Sequence, residues 1–373
     1  GIGEPLKSFI ERQFPEGKHD SYSAFIDRAG TLALAHGYVG MLAMQGWLFL
    51  SSFTAFRAKF FNASSFINLA QLGARAFDSI AGEVVQTACF AISNAPRPDY
   101  RATYLDETEG ENETAKDAYV RNPHHTFLAS VADLRRVEGI PVAYWLSAKA
   151  RDAFDGGCLV RDVAKPRQGL ATSDNGRFLR YWSEVAQQKI GFNLSSRSEA
   201  KATGRKWFPL AKGGPVRKWY GNNDYVVNWE DDGCEMLAYA AKLYGSPTRT
   251  VKNMNFYFRE GITWSTISNR FSMRYSASGA ISETKGAMCF ADNKEDLTYL
   301  LGFSNSSLVE SFLKVFSPTL DFHEGPFGKL PFLKSDDSAA IIDLAGECVN
   351  IARADWDNFE TSWDFRDQPL LRP

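Results

Sequence analysis

The chain has 373 residues, 44% of them hydrophobic and 14% aromatic, which is enough for roughly two domains with substantial cores. Its net charge is −2 and its charged fraction of 23% is ordinary, which excludes wholesale disorder. The five cysteines lie far apart without CxxC spacing, so neither a zinc site nor a disulfide framework is indicated. No signal peptide opens the chain and no apolar run reaches the roughly 18 residues of a membrane span. We therefore expect a cytoplasmic protein with no metal and no membrane partner.

Residues 1–95 are predicted to form part of an α/β sheet, in the order helix, strand, helix, strand, strand. Apolar residues at helical spacing predict a helical pair over 5–35. The run YVGMLAMQ, which starts at Tyr38, predicts a strand buried on both faces. Two more strands are predicted over 66–73 and 83–93, after a phenylalanine-rich helix. Three strands make a poor core alone, so this unit is predicted to be incomplete.

Residues 96–139 read as a linker or surface loop, because they contain Pro96, Pro98 and an acidic cluster. Residues 140–333 then mix short strands, turns and an amphipathic helical region over 297–316, and an edge strand is predicted at 328–333. Residues 334–373 are predicted to contain a last helix, over 336–365. Three of its aromatic residues share a face that suggests docking against another surface: Trp356, Phe359 and Trp363.

Positive charge is concentrated between Lys149 and Lys218, where 15 Lys and Arg face 6 Asp and Glu. The net charge of this segment is +9, so the rest of the chain carries −11. Five aromatic residues of the segment look exposed in the sequence: Trp182, Trp207, Phe208, Trp219 and Tyr220. Cations neutralise phosphates and flat rings contact bases, which favours one basic nucleic-acid-binding surface. The alternative is a solvated loop region with ordinary core aromatics.

No motif for a familiar catalytic site is present. The five histidines form neither HExxH nor a His/Cys cluster, and the chain has neither a GxSxG elbow nor a GxxxxGK[ST] loop. A free-standing hydrolase or a sugar-binding protein therefore has no support from the sequence.

A series of blocks in a recognisable order resembles one family over nearly the whole chain. The blocks are YVGMLAMQGWLFLSSFTAFR, GEVVQTACFAISN, AYWLSAKARDAF, RQGLATSDNGRFLRYW, KWFPLAKGGPVRKWYGNNDYVVNW, FREGITWSTIS, LLGFSNSSLVESFLK and ADWDNFETSWDF. Together they resemble the PglX family, the adenine-specific DNA methyltransferases of BREX phage-defence systems. The linked blocks RQGLATSDN, KWYGNN and EGITWS are far more specific than a single short motif.

The resemblance implies an α/β partial methyltransferase sheet, followed by an α+β target-recognition domain and a short C-terminal helix. Residues 1–95 would be the C-terminal part of the methyltransferase domain, and 140–333 a TaqI-like specificity domain. Residues 334–373 would begin a helical region. In that family a Gly-containing loop binds S-adenosylmethionine, and an Asn-Pro-Pro-Tyr motif holds the flipped adenine.

Neither the loop nor the motif is in this sequence, and we expect the chain to start shortly after the motif. No residue here is therefore predicted to be catalytic or to bind the cofactor. The parent protein would be a site-specific adenine methyltransferase that uses S-adenosylmethionine. This chain alone would not methylate DNA, because the extruded base must be held beside the methyl donor.

Ten residues are predicted to contact double-stranded DNA: Arg167, Gln168, Thr172, Asn175, Arg177, Arg205, Lys206, Lys212, Arg217 and Lys218. The first five lie in a turn-rich loop, and the others flank Gly213 and Gly214, where the backbone can approach a DNA strand. Arg and Gln can read guanine and adenine edges, whereas Lys mostly meets phosphate. The alternative for each is an ordinary surface residue.

Phe90 lies on the strand that supplies a ring near the flipped base in related enzymes, so it is a candidate base contact. A buried sheet phenylalanine is the alternative.

Two functions follow from these observations. The first is DNA binding and target recognition within a DNA adenine methyltransferase. The second is a protein-interaction module of a multi-subunit defence assembly, docked through the Trp356, Phe359 and Trp363 face. Its partners would be other BREX subunits or phage anti-defence proteins.

Overall fold

Two folding units divide the chain in the computed structural model, an N-terminal unit of residues 1–156 and a C-terminal unit of residues 157–373. The structure describes residues 3–77, 85–120, 123–155, 157–317, 321–368 and 371. The predicted strand over 83–93 therefore begins partly outside the described residues.

The N-terminal unit begins with two helices and then contains five strands with helices between some of them. Its strands are β1 (Tyr38–Met44), β2 (Ser65–Gly73), β3 (Thr87–Ser93), β4 (Ala102–Asp106) and β5 (Thr126–Ala129). Its helices are α1 (Glu4–Gln13), α2 (Ser21–Leu32), α3 (Thr54–Ala63), α4 (Glu113–Val120), α5 (Val131–Arg135) and α6 (Ala148–Phe154).

The strands form one mixed sheet in the order β1-β3-β2-β4-β5. β3 runs antiparallel to both β1 and β2, β4 runs parallel to β2, and β5 runs antiparallel to β4. The helical pair and the first three strands were correctly predicted. The expectation for β1 was wrong in one respect, because this strand lies at the edge of the sheet and Tyr38, Leu42 and Met44 are exposed.

The core of the N-terminal unit is aromatic and centres on Trp47, which follows β1 in a 3-10 turn. Phe56 and Phe60 lie one turn apart on α3 and meet this ring edge-on, with centroids 5.6 and 5.1 Å away. Phe66 of β2 and Phe90 of β3 approach it from the sheet, at 5.9 and 5.6 Å. Ring pairs at these distances add about 0.5–1.5 kcal/mol each beyond burial. α3 therefore covers one face of the sheet.

Arg57 of α3 ties this core to a distant part of the chain. Its Nη1 donates to the carbonyls of Trp47 and Leu50 at 2.7 and 2.8 Å. Its Nε and Nη2 both donate to the carbonyl of Gly139, at 2.9 and 2.8 Å. Burial lowers the pKa of Arg57 to about 10, because the charged form loses water. The three carbonyls offset that cost and fix residue 139 against α3.

The prediction of a linker over 96–139 was wrong. β4 pairs with β2 over Asn68–Gln71, and β5 extends the sheet beyond β4. Residues 140–155 also fold with this unit, since the Tyr144 ring stacks on Tyr104 with centroids 4.9 Å apart. The Tyr144 hydroxyl donates to the Gln71 side chain at 2.8 Å. The boundary between the two units therefore lies near residue 156, and not at the predicted positions 95/96 and 139/140.

The C-terminal unit combines short strands with helices. Its strands are β6 (Ala164–Arg167), β7 (Leu179–Tyr181), β8 (Trp207–Ala211), β9 (Tyr225–Asn228), β10 (Gly261–Trp264), β11 (Met273–Ser276), β12 (Ile281–Ser282) and β13 (Met288–Ala291). Its helices are α7 (Val160–Val163), α8 (Asn175–Phe178), α9 (Arg197–Ala202), α10 (Glu230–Tyr244), α11 (Lys294–Ser304), α12 (Ser307–Phe316), α13 (Glu324–Gly328) and α14 (Ser338–Asp357).

These strands form two sheets, with the orders β11-β10-β13-β6 and β12-β8-β9-β7. β12 pairs parallel with β8, and the other pairings are antiparallel. Aromatic pairs fill the core, with Trp229 on Tyr257 at 5.3 Å and Phe208 on Phe258 at 5.6 Å. The expected α/β sheet followed by an α+β region is confirmed at the level of mixed α/β sheets.

Three details at the end of the chain differ from the predictions. Residues 328–333 make a single bridge, Leu159 to Pro331, and do not form an edge strand. α14 ends at Asp357, earlier than expected. It packs on α11, where a Cβ at Gly302 would lie 3.2 Å from the Ile341 side chain and 3.3 Å from that of Ala345. Residues 338–357 are thus part of the C-terminal unit, whereas the sequence predicted a separate region from residue 334.

Candidate nucleic-acid interface

The first two predicted DNA contacts lie at the end of strand β6, where Arg167 is the last residue of the strand and Gln168 follows it. Arg167 lies with its guanidinium carbon 5.3 Å from the centroid of the Phe256 ring. The Gln168 amide oxygen accepts from Lys252 Nζ at 2.9 Å, and its backbone carbonyl accepts from Asn253 at 2.8 Å. Both side chains are partly exposed. Each retains hydrogen-bonding capacity that its present contacts do not use.

The next three predicted contacts lie at the short helix α8. The Thr172 hydroxyl is buried and donates to the Asn175 side-chain oxygen at 2.5 Å, so it stabilises the turn. Arg177 donates to Glu235 through Nε at 2.7 Å and Nη2 at 2.6 Å. Its guanidinium carbon also lies 4.9 Å from the Tyr239 ring centroid. Asn175 is exposed, whereas Thr172 is not available to a ligand.

Arg205 and Lys206 come directly before β8. Arg205 Nη1 donates to the carbonyl of Ile190, which leaves most of its five N–H donors uncommitted. Lys206 Nζ lies 3.4 Å from the carboxylate of Glu230, and both side chains remain roughly half exposed. Exposed pairs of this kind contribute about 0–1 kcal/mol, so the cation can exchange its partner at low cost.

An acidic turn at the start of α10 neutralises much of the basic segment. Asp231 and Asp232 adopt left-handed φ values of 49° and 59°, and the turn presents their carboxylates side by side with Glu230. Lys201 Nζ lies 2.9 Å from Asp231, and Arg197 Nε donates to Asp232 at 2.9 Å. These acids stand just beyond the segment in which the charge of +9 was counted, so the sequence count overestimated the local field.

The last three predicted cations contact other parts of the unit. Lys212 lies 3.9 Å from the Glu283 carboxylate, Arg217 lies 3.8 Å from the Asp355 carboxylate, and Lys218 donates to the Asn305 carbonyl at 2.7 Å. Their partners come from distant elements of the unit, and all three side chains remain partly or fully exposed. Their individual roles toward DNA stay predictions.

Three of the five aromatic residues that looked exposed are buried. Trp207 and Phe208 lie in β8, and Tyr220 is 6% exposed. Trp182 and Trp219 are half-buried, and Trp182 Nε1 donates to the Thr361 carbonyl at 2.8 Å. For the first three, the core interpretation is confirmed.

The predicted docking face near the C-terminus is largely used within the unit. Trp356 is buried, with the guanidinium carbon of Arg217 4.9 Å from its ring centroid. Trp363 packs on Phe192 with centroids 5.3 Å apart. Phe359 remains exposed, but it lies beyond the end of α14. The prediction that these three rings share one free helix face was wrong.

Phe90 is 2% exposed and lies between Trp47 and Phe66, with centroid distances of 5.6 and 5.9 Å. Such a position leaves no ring surface for an extruded base, so the sheet-core interpretation holds.

One buried cation was missed by the sequence analysis. Arg274 of β11 is 1% exposed, and its side-chain nitrogens have no hydrogen-bond partner among the described residues. Burial and the neighbouring Arg217 lower its pKa to about 10, against the effect of Asp224. Burial in turn raises the pKa of Asp224, against the effect of both arginines. The sequence predicted the strand but gave no sign that its arginine points inward.

The described residues do not fit S-adenosylmethionine. The glycines next to the strand ends of the N-terminal unit are closed by their neighbours. A Cβ on Gly46 would lie 3.3 Å from the Tyr22 hydroxyl, and one on Gly73 would lie 3.1 Å from the Thr108 backbone. Both glycines are therefore packed against neighbouring residues, which leaves little room for a cofactor at either position. No cluster of metal-ligating residues occurs in the part of the chain that the structure describes. Across those same residues, no helix combines the length and apolarity of a membrane span.

Solved structures place the fold among those of restriction-modification enzymes. The Type IIL enzyme MmeI, solved with DNA, matches all of this chain and 50% of its own, with a TM-score of 0.60 and 11% identity. A nuclease-deletion mutant of the Type ISP enzyme LlaGI, solved with a DNA substrate mimic, matches 94% of this chain and 33% of its own, with a TM-score of 0.51 and 9% identity. At these identities the likeness concerns the fold alone.

Sequence comparison finds two curated relatives, both named as adenine-specific methyltransferases. The chain is 35% identical over 374 residues to the adenine-specific methyltransferase PglX of Lacticaseibacillus casei (strain Zhang), covering 98% of this chain and 31% of that protein. It is 34% identical over 378 residues to the adenine-specific methyltransferase BrxX of Escherichia coli O9:H4 (strain HS), covering 100% of this chain and 30% of that protein. The resemblance to the PglX family is therefore confirmed along the whole chain. The chain spans about a third of the length of these curated relatives, and no protein-family profile matches it.

Proposed function

We propose that this chain is part of a site-specific DNA N6-adenine methyltransferase of a BREX phage-defence system, and that it supplies DNA binding and target recognition. The observation that carries this proposal is the identity of 35% to a PglX protein over nearly the entire chain. The names of both relatives describe adenine-specific methyltransferases. In a bacterial cell the enzyme would act in the cytoplasm, on double-stranded DNA.

The C-terminal unit is the part that we assign to target recognition. Two solved enzymes that share the fold, MmeI and LlaGI, were studied with DNA or a DNA mimic. Arg167, Gln168 and Asn175 are partly or fully exposed, so their side chains can meet base edges. The ion pairs of Arg177, Lys206 and Arg217 are also partly exposed. Because such pairs contribute little, phosphates can replace the carboxylates during binding.

We assign the N-terminal unit to the later part of a methyltransferase domain. Within the described residues β1 pairs on one side only, with β3, and the sheet face around Leu42 is apolar and exposed. Cys89 is exposed next to Leu42 on the neighbouring strand. Exposed apolar surface of this kind marks a contact with other polypeptide. Both features support a sheet that is completed elsewhere in the parent protein, which would also hold S-adenosylmethionine.

The alternative function is a docking module for other BREX subunits or phage anti-defence proteins. The aromatic face predicted for that docking is largely buried. Trp356 and Trp363 already pack inside the C-terminal unit. The DNA-recognition proposal is therefore the one that we favour.

A salt titration of DNA affinity tests the proposal. Fluorescence anisotropy on a labelled duplex of about 30 base pairs should give an affinity that falls steeply with salt, since each phosphate contact contributes about −0.9 to the slope of log affinity against log salt. The double variants Arg205→Ala/Lys206→Ala and Arg217→Ala/Lys218→Ala should each flatten the slope by about 1–2. Lys242→Ala is the matched control, because this exposed lysine of α10 has no ion pair within the described residues.

A flat salt dependence, or equal slopes for the original chain and both double variants, would contradict the assigned DNA contacts. Transfer of labelled methyl groups from S-adenosylmethionine to DNA by this chain alone would contradict the assignment of catalysis to the rest of the parent protein.

A further inference from the structure

A cavity of about 140 Å³ lies within the C-terminal unit, and none of the ten predicted DNA contacts is among its lining residues. Strand β8, the loop over 276–280 and the segment after α14 all contribute to its lining. The segment after α14 brings Trp363 and Asp364, so distant parts of the unit meet around one space.

Aromatic rings form much of this lining. Tyr220 and Tyr275 flank Arg353, whose guanidinium carbon lies 4.7 and 5.7 Å from their ring centroids. Trp363 is held in place by Phe192, with centroids 5.3 Å apart. Fixed rings of this kind provide stacking surfaces for a flat ligand.

The polar groups of the cavity include both donors and acceptors. Asn193 and Asn223 line it, and neither side-chain amide is hydrogen-bonded to another described residue. Arg353 Nε is buried and also lacks a partner among the described residues. The carboxylate of Asp364 adds an acceptor, and burial, with Asp357 nearby, raises the pKa of that group. An amide, a guanidinium and a carboxylate together match a ligand edge that carries both N–H and C=O groups.

Size and charge limit what this cavity can hold. An engineered protein cavity of about 150 Å³ binds one benzene molecule, so the volume here suits a single six-membered ring. Within the described lining, Arg353 is the one cation and Asp364 the one anion, so their charges balance. The cavity therefore has no net positive charge that would attract a phosphate group. A neutral, planar ring with donors and acceptors on its edge fits both limits.

We propose that this cavity binds a pyrimidine nucleobase, stacked on the aromatic lining and hydrogen-bonded to Asn193, Asn223 and Arg353. The base can come from a free nucleoside or from an unpaired position in DNA. Binding of a free nucleoside is independent of the proposed function, whereas capture of a base from DNA rests on it.

Ligand-observed NMR and titration calorimetry with cytidine and with thymidine test the site on the full chain. We expect saturation transfer to the base protons. Asn193→Ala/Asn223→Ala should weaken binding about tenfold, since each lost hydrogen bond changes affinity by roughly two- to twelvefold. Both residues are partly or fully exposed, so the variant should keep its fold, which circular dichroism checks. Asn269→Ala is the matched control, because Asn269 is exposed and lies outside the cavity.

A second experiment distinguishes a base from DNA from a base of a free nucleoside. Anisotropy would compare a fully paired duplex with the same duplex carrying one bulged thymine. A preference for the bulge that the double variant removes supports a DNA base, and nucleoside binding without such a preference supports a free nucleoside. If neither nucleoside binds and no bulge preference exists, or if the double variant binds both like the original chain, the proposal is overturned. Nucleoside binding with no affinity for any duplex would leave this site standing and contradict the proposed function alone.

Discussion

Replacing Arg57 by Met tests whether residues 96–139 belong to the sheet of the N-terminal unit. In the structure this side chain supplies hydrogen bonds to three carbonyls, those of Trp47, Leu50 and Gly139. Loss of a charged donor costs about 1–3 kcal/mol for each buried carbonyl that is left without a partner. Met fills much of the volume and removes a buried charge, which recovers part of the loss. We expect the free energy of unfolding of this unit to fall by about 3–5 kcal/mol.

Hydrogen exchange with mass spectrometry measures this effect locally, which avoids assuming a two-state transition for a chain with two units. Peptides from β2, β4 and the segment around residue 139 should lose protection together in Arg57→Met. Arg12→Met is the matched control, because this arginine is exposed on α1 and should change stability by less than about 0.5 kcal/mol.

The reasoning would be refuted if β4 peptides exchange freely in the unchanged protein. It would also fail if β2 loses protection in the variant while β4 does not, because the two strands could not then form one cooperative sheet.

Two further changes test a helix cap and the packing of Trp356. Ser130→Ala removes a capping box in which Asp133 N–H donates to the serine hydroxyl at 3.1 Å, and should cost about 1 kcal/mol in urea unfolding at about pH 7. Burial opposes the charge of Asp133, yet hydrogen bonds from Ser130 lower its pKa overall. The part of the capping box that the Asp133 carboxylate accepts is therefore full above the ordinary aspartate pKa and is lost as pH falls through the lowered value, whereas the bond to the serine hydroxyl does not depend on pH. Gly221→Ala should cost about 2 kcal/mol or more, because φ is +115° and the new Cβ would lie 2.4 Å from the Arg217 side chain and 2.8 Å from the Trp356 ring. Limited proteolysis should then cut near residue 357 faster than in the original chain, and unchanged cleavage would contradict the packing of Trp356.

Local patterns in the sequence predicted most helices and strands, but not which neighbouring elements pack against each of them. The run from Tyr38 to Met44 is apolar throughout, so its composition favoured a strand buried on both faces. The structure places it at a sheet edge with Leu42 exposed, and periodicity carries no information about which neighbours are present. β4 was missed because two prolines and an acidic cluster surround it, while the pairing that stabilises it lies with β2, more than 30 residues earlier.

The same limit applies to the candidate interface. The charge of segment 149–218 could be counted from the sequence, but its partners could not be located. Asp231 and Asp232 follow the segment closely, whereas Asp355 is brought to Arg217 by the fold alone. Trp207 and Phe208 looked available to bases because basic residues precede them, yet both are buried in β8, where they pack in different hydrophobic clusters. The family resemblance was the stronger signal, because it rests on many linked blocks and does not depend on local charge.

Photo-crosslinking to DNA tests the central claim most directly. A duplex that carries 5-iodouracil at successive positions would be irradiated with the full chain, and the crosslinked peptides identified by mass spectrometry. The account predicts crosslinks in the C-terminal unit, concentrated in residues 167–218. Crosslinks confined to the N-terminal unit, or none at low salt with a saturating duplex, would contradict it.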